Sequence, residues 1–269
     1  VEVASGVTVM VYAGITSEAT HLHSIDVFHA ASIAQVQANM ATKSCQTTVA
    51  ITHSAPVVNA GGNWTIPVST PFMLTGSATD AGGAGAITYT WEQNEDGGSN
   101  TSANSAASPT KANGPNWVNY QDSASPVRYF PKMSSILTGS TTTPGLDVMA
   151  EALSSVARTL NFRLTARDNI SGQGQTNFAD ATVTVVAKSA LTVTMVANTS
   201  YPVGSSQTVV WTGATGTTGH STIAGGANVD ISFSPDNGET WTTLLTNTPN
   251  DGSQAVTLPA GVSAAYCRF

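Results

Sequence analysis

Short runs of alternating apolar and polar residues recur along most of this chain, and they constrain its fold more than any other feature. From Ala55 onward these runs follow one another at intervals of about ten residues, separated by turns rich in Gly, Pro, Asn and Asp. Successive side chains of a strand leave opposite faces of a sheet, so the alternation predicts strands with one buried face. The spacing is typical of antiparallel β-sandwiches, and we predict a mainly β protein.

The run Ile87–Trp91 is the clearest of these predicted strands. Ile87, Tyr89 and Trp91 alternate with two threonines, and a tryptophan side chain can bury more apolar area than other residue types. We therefore predict that Trp91 lies in the core of a central sandwich. By the same reasoning, Trp211 is predicted to lie in the core of a second sandwich.

One stretch has helical rather than strand periodicity. Phe28, Ile33, Val36 and Met40 are spaced to fall on one face of a helix, which predicts a helix over about His29–Ala41. The helical stretch and the strand runs together divide the chain into three predicted units. Residues 1–50 contain the helix, residues 51–188 form a sandwich with two long loops, and residues 189–269 form a second sandwich that is cut at its end. Asp26 is the candidate cap of the helix. The loop over residues 133–157 has room for a short helix around Val148–Val156.

Composition excludes several classes of function. Charged residues are 9 % of the 269 residues and the net charge is -7, so no basic stripe exists that could neutralise nucleic-acid phosphates. No apolar run approaches the roughly 20 residues of a membrane helix. The abundance of Gly, Ser, Thr and Asn is typical of secreted or cell-surface β-proteins.

Cys45 and Cys267 allow a single disulfide, or two bridges to partners elsewhere. We interpret the chain as an interior piece of a longer polypeptide.

Several segments, taken in order, resemble one protein family. The segments that carry this resemblance are Thr8–Ile15, Asp26–Ile33, Pro67–Phe72, Thr90–Gln93, Pro126–Pro131, Phe162–Asn169 and Asn247–Gly252. They are similar to secreted bacterial reprolysin-like zinc metallopeptidases of the metzincin kind, which carry β-domains behind the protease. The resemblance implies that Thr8–Ile15 is the Met-turn, with Met10 as its methionine. It also implies that Asp26–Ile33 opens the final helix of the catalytic domain.

This family binds zinc through the motif H-E-x-x-H-x-x-G-x-x-H, in which three histidines hold the ion and the Glu polarises its water. No His of the chain is followed by Glu. The resemblance therefore implies a zinc enzyme whose ligands lie in a missing N-terminal catalytic portion, so that this chain alone is inactive. The sandwiches would be accessory domains that bind protein substrate, polysaccharide or the cell surface. From the residues alone, Met10 also fits a methionine in a buried strand.

The central unit has a second resemblance, to the polycystic-kidney-disease and cadherin-like branches of the immunoglobulin-like folds. It rests on Phe72–Asp80 followed by Tyr89–Trp91. These branches often bind calcium through loops rich in Asp, because Ca²⁺ takes six to eight oxygen ligands. The loop after Asp80 offers one carboxylate, so a calcium site there requires Asp168 or Asp180 to reach it. The expected architecture is thus two immunoglobulin-like sandwiches behind a short strand, turn and helix from a metzincin catalytic domain.

Other interpretations stay open at this point. Imidazole and carboxylate suit zinc, so a separate metal site is a candidate alongside plain capping or surface roles for four residues: His21, His23, Asp26 and His29. The low charge and the strand edges also fit a structural or adhesive surface protein that assembles with its own copies. A hydrolase on the sandwich itself would use a carboxylate pair from Glu92, Glu95 or Asp96.

Overall fold

The protein is mainly β, as the sequence predicts: 35 % of residues are in strands and 9 % in helices, and the strands form several small sheets. The computed structural model describes residues 2–45, 47, 49–82, 85–95, 105–194, 200–213, 219–263 and 266–269. In these ranges no helix is long and apolar enough to cross a membrane.

The chain starts with an irregular N-terminal segment, residues 2–29, which contains no helix or strand. The interpretation of Met10 as part of a buried strand is therefore wrong. Helix α1 follows at Ala30–Ala41, within one residue of its predicted start. Its cap is not Asp26, because the Nδ1 atom of His29 accepts a hydrogen bond from the Ala31 N–H at 3.0 Å. From Ala34 onward every residue of α1 is exposed, so the helix projects from the body of the protein.

The described residues of the central β unit, which spans residues 57–186, form ten strands. They are β1 Val57–Asn59, β2 Trp64–Pro67, β3 Phe72–Thr75, β4 Ser77–Thr79, β5 Thr88–Gln93, β6 Val127–Phe130, β7 Thr142–Pro144, β8 Met149–Ala152, β9 Arg158–Arg167 and β10 Thr176–Val186. The largest sheet has the order β2-β10-β9-β5, with β2 parallel to β10 and the other pairs antiparallel. Three antiparallel pairs complete the unit: β1 with β4, β3 with β6 and β7 with β8.

The inner face of the four-stranded sheet carries the main core. Alternation along β9 places Leu160, Phe162 and Leu164 in this core, where Phe162 packs against Phe130 of β6 with ring centroids 4.8 Å apart. Trp91 is 3 % exposed and belongs to the same cluster. Its Nε1 donates to the Pro126 carbonyl at 2.9 Å, so the buried indole has a polar partner.

The outer face of this sheet is also covered beside β5. Thr90, Glu92 and Thr165 point away from the core, yet all three are buried. The start of α1 lies over them, since the Ala30 N–H donates to Glu92. The strand β5 is therefore buried on both faces, whereas its sequence alternation predicts one polar, open face.

The long connection between β6 and β9 differs from its prediction. Helix α2 is at Met133–Leu137, and the proposed helix around Val148–Val156 is wrong, because Met149–Ala152 is strand β8. The sequence Met-Ala-Glu-Ala favours a helix locally, but its backbone pairs with β7. The β7–β8 turn also holds the N-terminal segment, through bonds from Leu146 N–H to the Thr20 carbonyl and from Asp147 N–H to the Ala19 carbonyl, at 2.9 and 2.8 Å.

The C-terminal β unit, residues 191–269, has its own core. Its strands are β11 Val193–Thr194, β12 Ser206–Trp211, β13 Asn228–Phe233, β14 Thr242–Pro249 and β15 Ser253–Thr257. They form a sheet of order β11-β12-β15 and a β13-β14 pair. Trp211 is buried in this core with Val209, Ile231 and Val256, and its Nε1 donates to Asn250 Oδ1 at 2.7 Å.

Candidate functional site

The N-terminal segment, α1 and the outer face of the central sheet meet at a group of buried and half-buried polar residues, which we call the Glu92 junction. It consists of Glu2, Thr8, His29, Glu92 and Arg167, with neutral partners around them. Each element reaches the junction for a local reason: Glu2 and Thr8 come from the irregular segment, His29 caps α1, and the other two residues lie on the outer face of β5 and β9. The junction is thus built from residues far apart in sequence.

Glu92 is fully buried at the centre of the junction. Its Oε2 accepts from the Ala30 N–H at 3.1 Å and from the Thr165 hydroxyl at 3.4 Å. Its Oε1 accepts from the Asn119 side-chain amide at 3.4 Å. Within the described ranges Glu92 forms no ion pair. Burial raises the pKa of Glu92 to about 7. The bond from Ala30 and the nearby charge of Arg167 lower this pKa, but the effect of burial is larger.

His29 is the second buried titratable group of the junction. Its Nδ1 accepts from the Ala31 N–H, so the cap requires an unprotonated Nδ1. Burial lowers the pKa of His29, while the negative charge of Glu2 opposes this shift. Burial therefore favours the neutral form of both the His29 imidazole and the Glu92 carboxyl.

Glu2 is an acceptor in the same region. Its Oε2 accepts from the backbone N–H groups of Val7 and Thr8 at 2.9 and 3.2 Å, and its Oε1 accepts from the Thr8 hydroxyl at 2.5 Å. Arg167 donates from Nη1 to the Thr90 hydroxyl at 2.7 Å. Its Nη2 is buried and meets no acceptor in the described part of the chain. The junction therefore holds two carboxyl groups and one incompletely bonded guanidinium.

The region around Met10 is a surface of a different kind. Met10 is 60 % exposed, and Val9, Tyr12 and Ile15 are also exposed; we call these four residues the Met10 surface. Beside it lies an open cleft of about 390 Å³, between Ser5, Met10, Tyr12 and Glu18. Apolar side chains exposed close together on one short segment are suited to contact with another molecule or segment.

The residues considered for metal binding do not come together. Across the described residues, no group of three or more His, Cys, Asp or Glu side chains is arranged to hold an ion. Of the four candidates, His23 and Asp26 are exposed, His21 is half-buried and His29 is bonded as the helix cap.

The candidate calcium residues have other partners. Asp80 Oδ1 accepts from the Gly82 N–H at 2.9 Å. Asp168 accepts from the N–H groups of two loop residues and lies 3.6 Å from His53 Nε2. Asp180 forms a two-bond ion pair with Arg163 at 2.7 and 2.8 Å. Each carboxylate thus already has a partner within the protein.

The carboxylate pair considered for hydrolysis is not accessible as one. Glu92 is 0 % exposed, so no substrate can reach it in this conformation. Glu95 pairs instead with the Arg158 guanidinium, which donates to its Oε2 at 2.5 Å, and Asp96 lies outside the described residues.

Cys45 and Cys267 are both free and exposed.

Sequence reasoning missed the buried role of Glu92 and the parts played by Glu2 and Arg128. Arg128 donates to the Trp91 and Val118 carbonyls and to Glu151, which is itself fully buried. The only signal in the sequence was the presence of charged residues within predicted strands of a chain with few charges. That signal cannot identify the partners, because they come from distant segments.

No known protein-family profile matches the chain. No curated protein matches it either.

Proposed function

We propose that this chain is the C-terminal portion of a secreted, zinc-dependent endopeptidase of the reprolysin-like metzincin kind. In this proposal the N-terminal segment and α1 belong to the catalytic domain. The two β units are immunoglobulin-like accessory domains that hold the enzyme on protein substrate, polysaccharide or a cell surface. The zinc ligands are assigned to a portion outside this chain, because no His of the sequence is followed by Glu as the family's zinc motif requires.

The observation that carries the proposal is the exposure of the Met10 surface. The segment that resembles a Met-turn presents Met10 outward in an apolar surface, although apolar side chains normally avoid water. In a metzincin the Met-turn lies beneath the zinc, so this surface is where the remaining catalytic domain would pack. The exposed apolar residues of α1 support the same arrangement.

Helix α1 provides this second supporting observation. Phe28, just before the helix, and Val36 and Met40 within it are exposed, and the helix contains no charged residue. A solvated helix normally carries a charged outer face. The uncharged face of α1 is therefore suited to packing against further polypeptide.

The experiment is to produce the complete reading frame and assay it for cleavage of unfolded protein, with and without a zinc chelator. We expect an H-E-x-x-H-x-x-G-x-x-H motif upstream of Val1 and activity that the chelator abolishes. A frame without this motif would contradict the proposal. The complete protein truncated after residue 50 tests the accessory role, since it should cleave small peptides and lose activity on anchored substrates.

The alternative is a structural or adhesive surface protein. The pair β13-β14 favours it, because β14 is eight residues long, mostly exposed, and pairs with one strand only among the described residues. Such an edge can accept a strand from a second copy. Light scattering separates the two proposals, since assembly predicts a mass that grows with concentration and an accessory domain predicts a constant monomer mass.

A further inference from the structure

The N-terminal segment is attached to the central β unit by two small apolar clusters and by hydrogen bonds. Its two apolar clusters contain three buried residues each, Val3 with Ala107 and Ala152 in one and Val7 with Val118 and Ala150 in the other. The main core contains twelve buried residues among those that the structure describes. Small clusters open more readily than large ones, so this segment can detach while the central sheets stay folded.

The Glu92 junction lies at this attachment. The bond from Ala30 N–H to Glu92 joins the start of α1 to β5 directly. Detachment of the segment would bring Glu92 and His29 into water. Both groups would then regain ordinary protonation behaviour, which couples the attachment to proton binding.

We propose that the attachment of the N-terminal segment and α1 to the central β unit is a proton-linked latch, in which a protonated Glu92 holds the latch closed. The geometry supports this because the Glu92 carboxyl is fully buried and, among the described residues, has no cation bonded to it. The charged groups that act on it are Glu2 from the segment and Arg167 from β9. Glu2 also acts on His29, the cap of α1. Arg163 of β9 also acts on His29. This inference does not depend on the proposed peptidase function.

The two titrating groups act in opposite directions. The pKa of Glu92 is raised from 4.5 to about 7, so its contribution is complete below pH 4.5 and is lost as the pH rises through about 7. The pKa of His29 is lowered from 6.5, so its contribution is complete above pH 6.5 and is lost as the pH falls below that value. The pH dependence of the wild type alone therefore mixes two opposed effects.

The Ala30 amide is a direct reporter, because its N–H is bonded to Glu92. Native-state hydrogen exchange by NMR gives the opening constant at Ala30 after correction for the intrinsic exchange rate. We compare wild type, Glu92→Gln and the matched control Glu239→Gln, whose glutamate is exposed. Since His29 is present in all three proteins, the ratio of wild type to Glu92→Gln isolates the effect of Glu92.

We expect the Ala30 opening constant of wild type, divided by that of Glu92→Gln, to rise by on the order of 100-fold between pH 5 and pH 8. The opening constant of wild type divided by that of Glu239→Gln should stay constant. Amides of the β9-β10 pair should show no such change. A wild-type to Glu92→Gln ratio that is constant within about threefold would overturn the proposal. Direct NMR titration of the wild-type Glu92 carboxyl carbon needs no variant. A midpoint near 7 supports the latch, and one near the ordinary glutamate value, about 4.5, rejects it.

Discussion

Replacing Trp91 by alanine should destabilise the central β unit and leave the C-terminal β unit unaffected. The side chain is 3 % exposed and belongs to the main core cluster, together with Leu164 and Phe130. Truncating a large buried aromatic side chain costs about 3–5 kcal/mol of unfolding free energy. That cost is comparable with the whole stability of a modest domain.

The loss of unfolding free energy in Trp91→Ala should come mostly from lost packing contacts. The Pro126 carbonyl that accepts from the indole at 2.9 Å also accepts from the Gly76 N–H at 3.2 Å, so the Trp91→Ala change leaves no buried acceptor unpaired. Trp91→Phe, which keeps an aromatic ring but loses the N–H donor, should therefore cost less, about 1–2 kcal/mol. Trp64, which is 54 % exposed, provides the matched control, and its alanine variant should cost below about 1 kcal/mol.

The assay is calorimetry or urea unfolding with resolved transitions. Trp211 belongs to a separate core cluster, so the transition of the C-terminal β unit should stay where it is. A loss below about 1 kcal/mol for Trp91→Ala would refute the reasoning, since it would mean that the core repacks without the indole. A common shift of both transitions would show that the two units unfold together.

Two further predictions use matched pairs of variants. In the active complete protein, Met10→Lys should reduce peptidase activity at least about tenfold, because it places a charge in a packed apolar contact. Met73→Lys, at another exposed methionine, should leave the activity unchanged. Equal activities of the two variants would argue against a buried Met10 surface. Arg128→Met should cost about 3–5 kcal/mol in urea unfolding, because it leaves the buried Glu151 carboxylate without its cation. Arg163→Met removes a more exposed pair and should cost below about 1 kcal/mol.

Local sequence patterns predict local structure well in this protein. The helix predicted over His29–Ala41 begins one residue later and ends where expected, because helical periodicity is encoded in neighbouring residues. The strand predicted over Ile87–Trp91 forms at Thr88–Gln93 for the same reason. The mainly β class follows from the number of such runs.

Long-range contacts account for what the sequence could not predict. Alternation indicates that Trp91 and Glu92 point to opposite faces of β5, but it cannot show that a segment about 60 residues earlier covers the Glu92 face. Met149–Ala152 has helix-forming residues, yet pairing with β7 makes it a strand. The apolar face of α1 is encoded locally, but its exposure depends on which parts of the protein pack there.

The central claim, that this chain completes a zinc endopeptidase, is tested most directly by the zinc content of the purified product of the complete reading frame. Elemental analysis after dialysis should give one zinc per chain. The zinc should disappear when the first upstream motif histidine is replaced by alanine, and residues 2–269 expressed alone should bind none. A complete product that holds no zinc, or that keeps its zinc after this histidine is replaced, would contradict the claim.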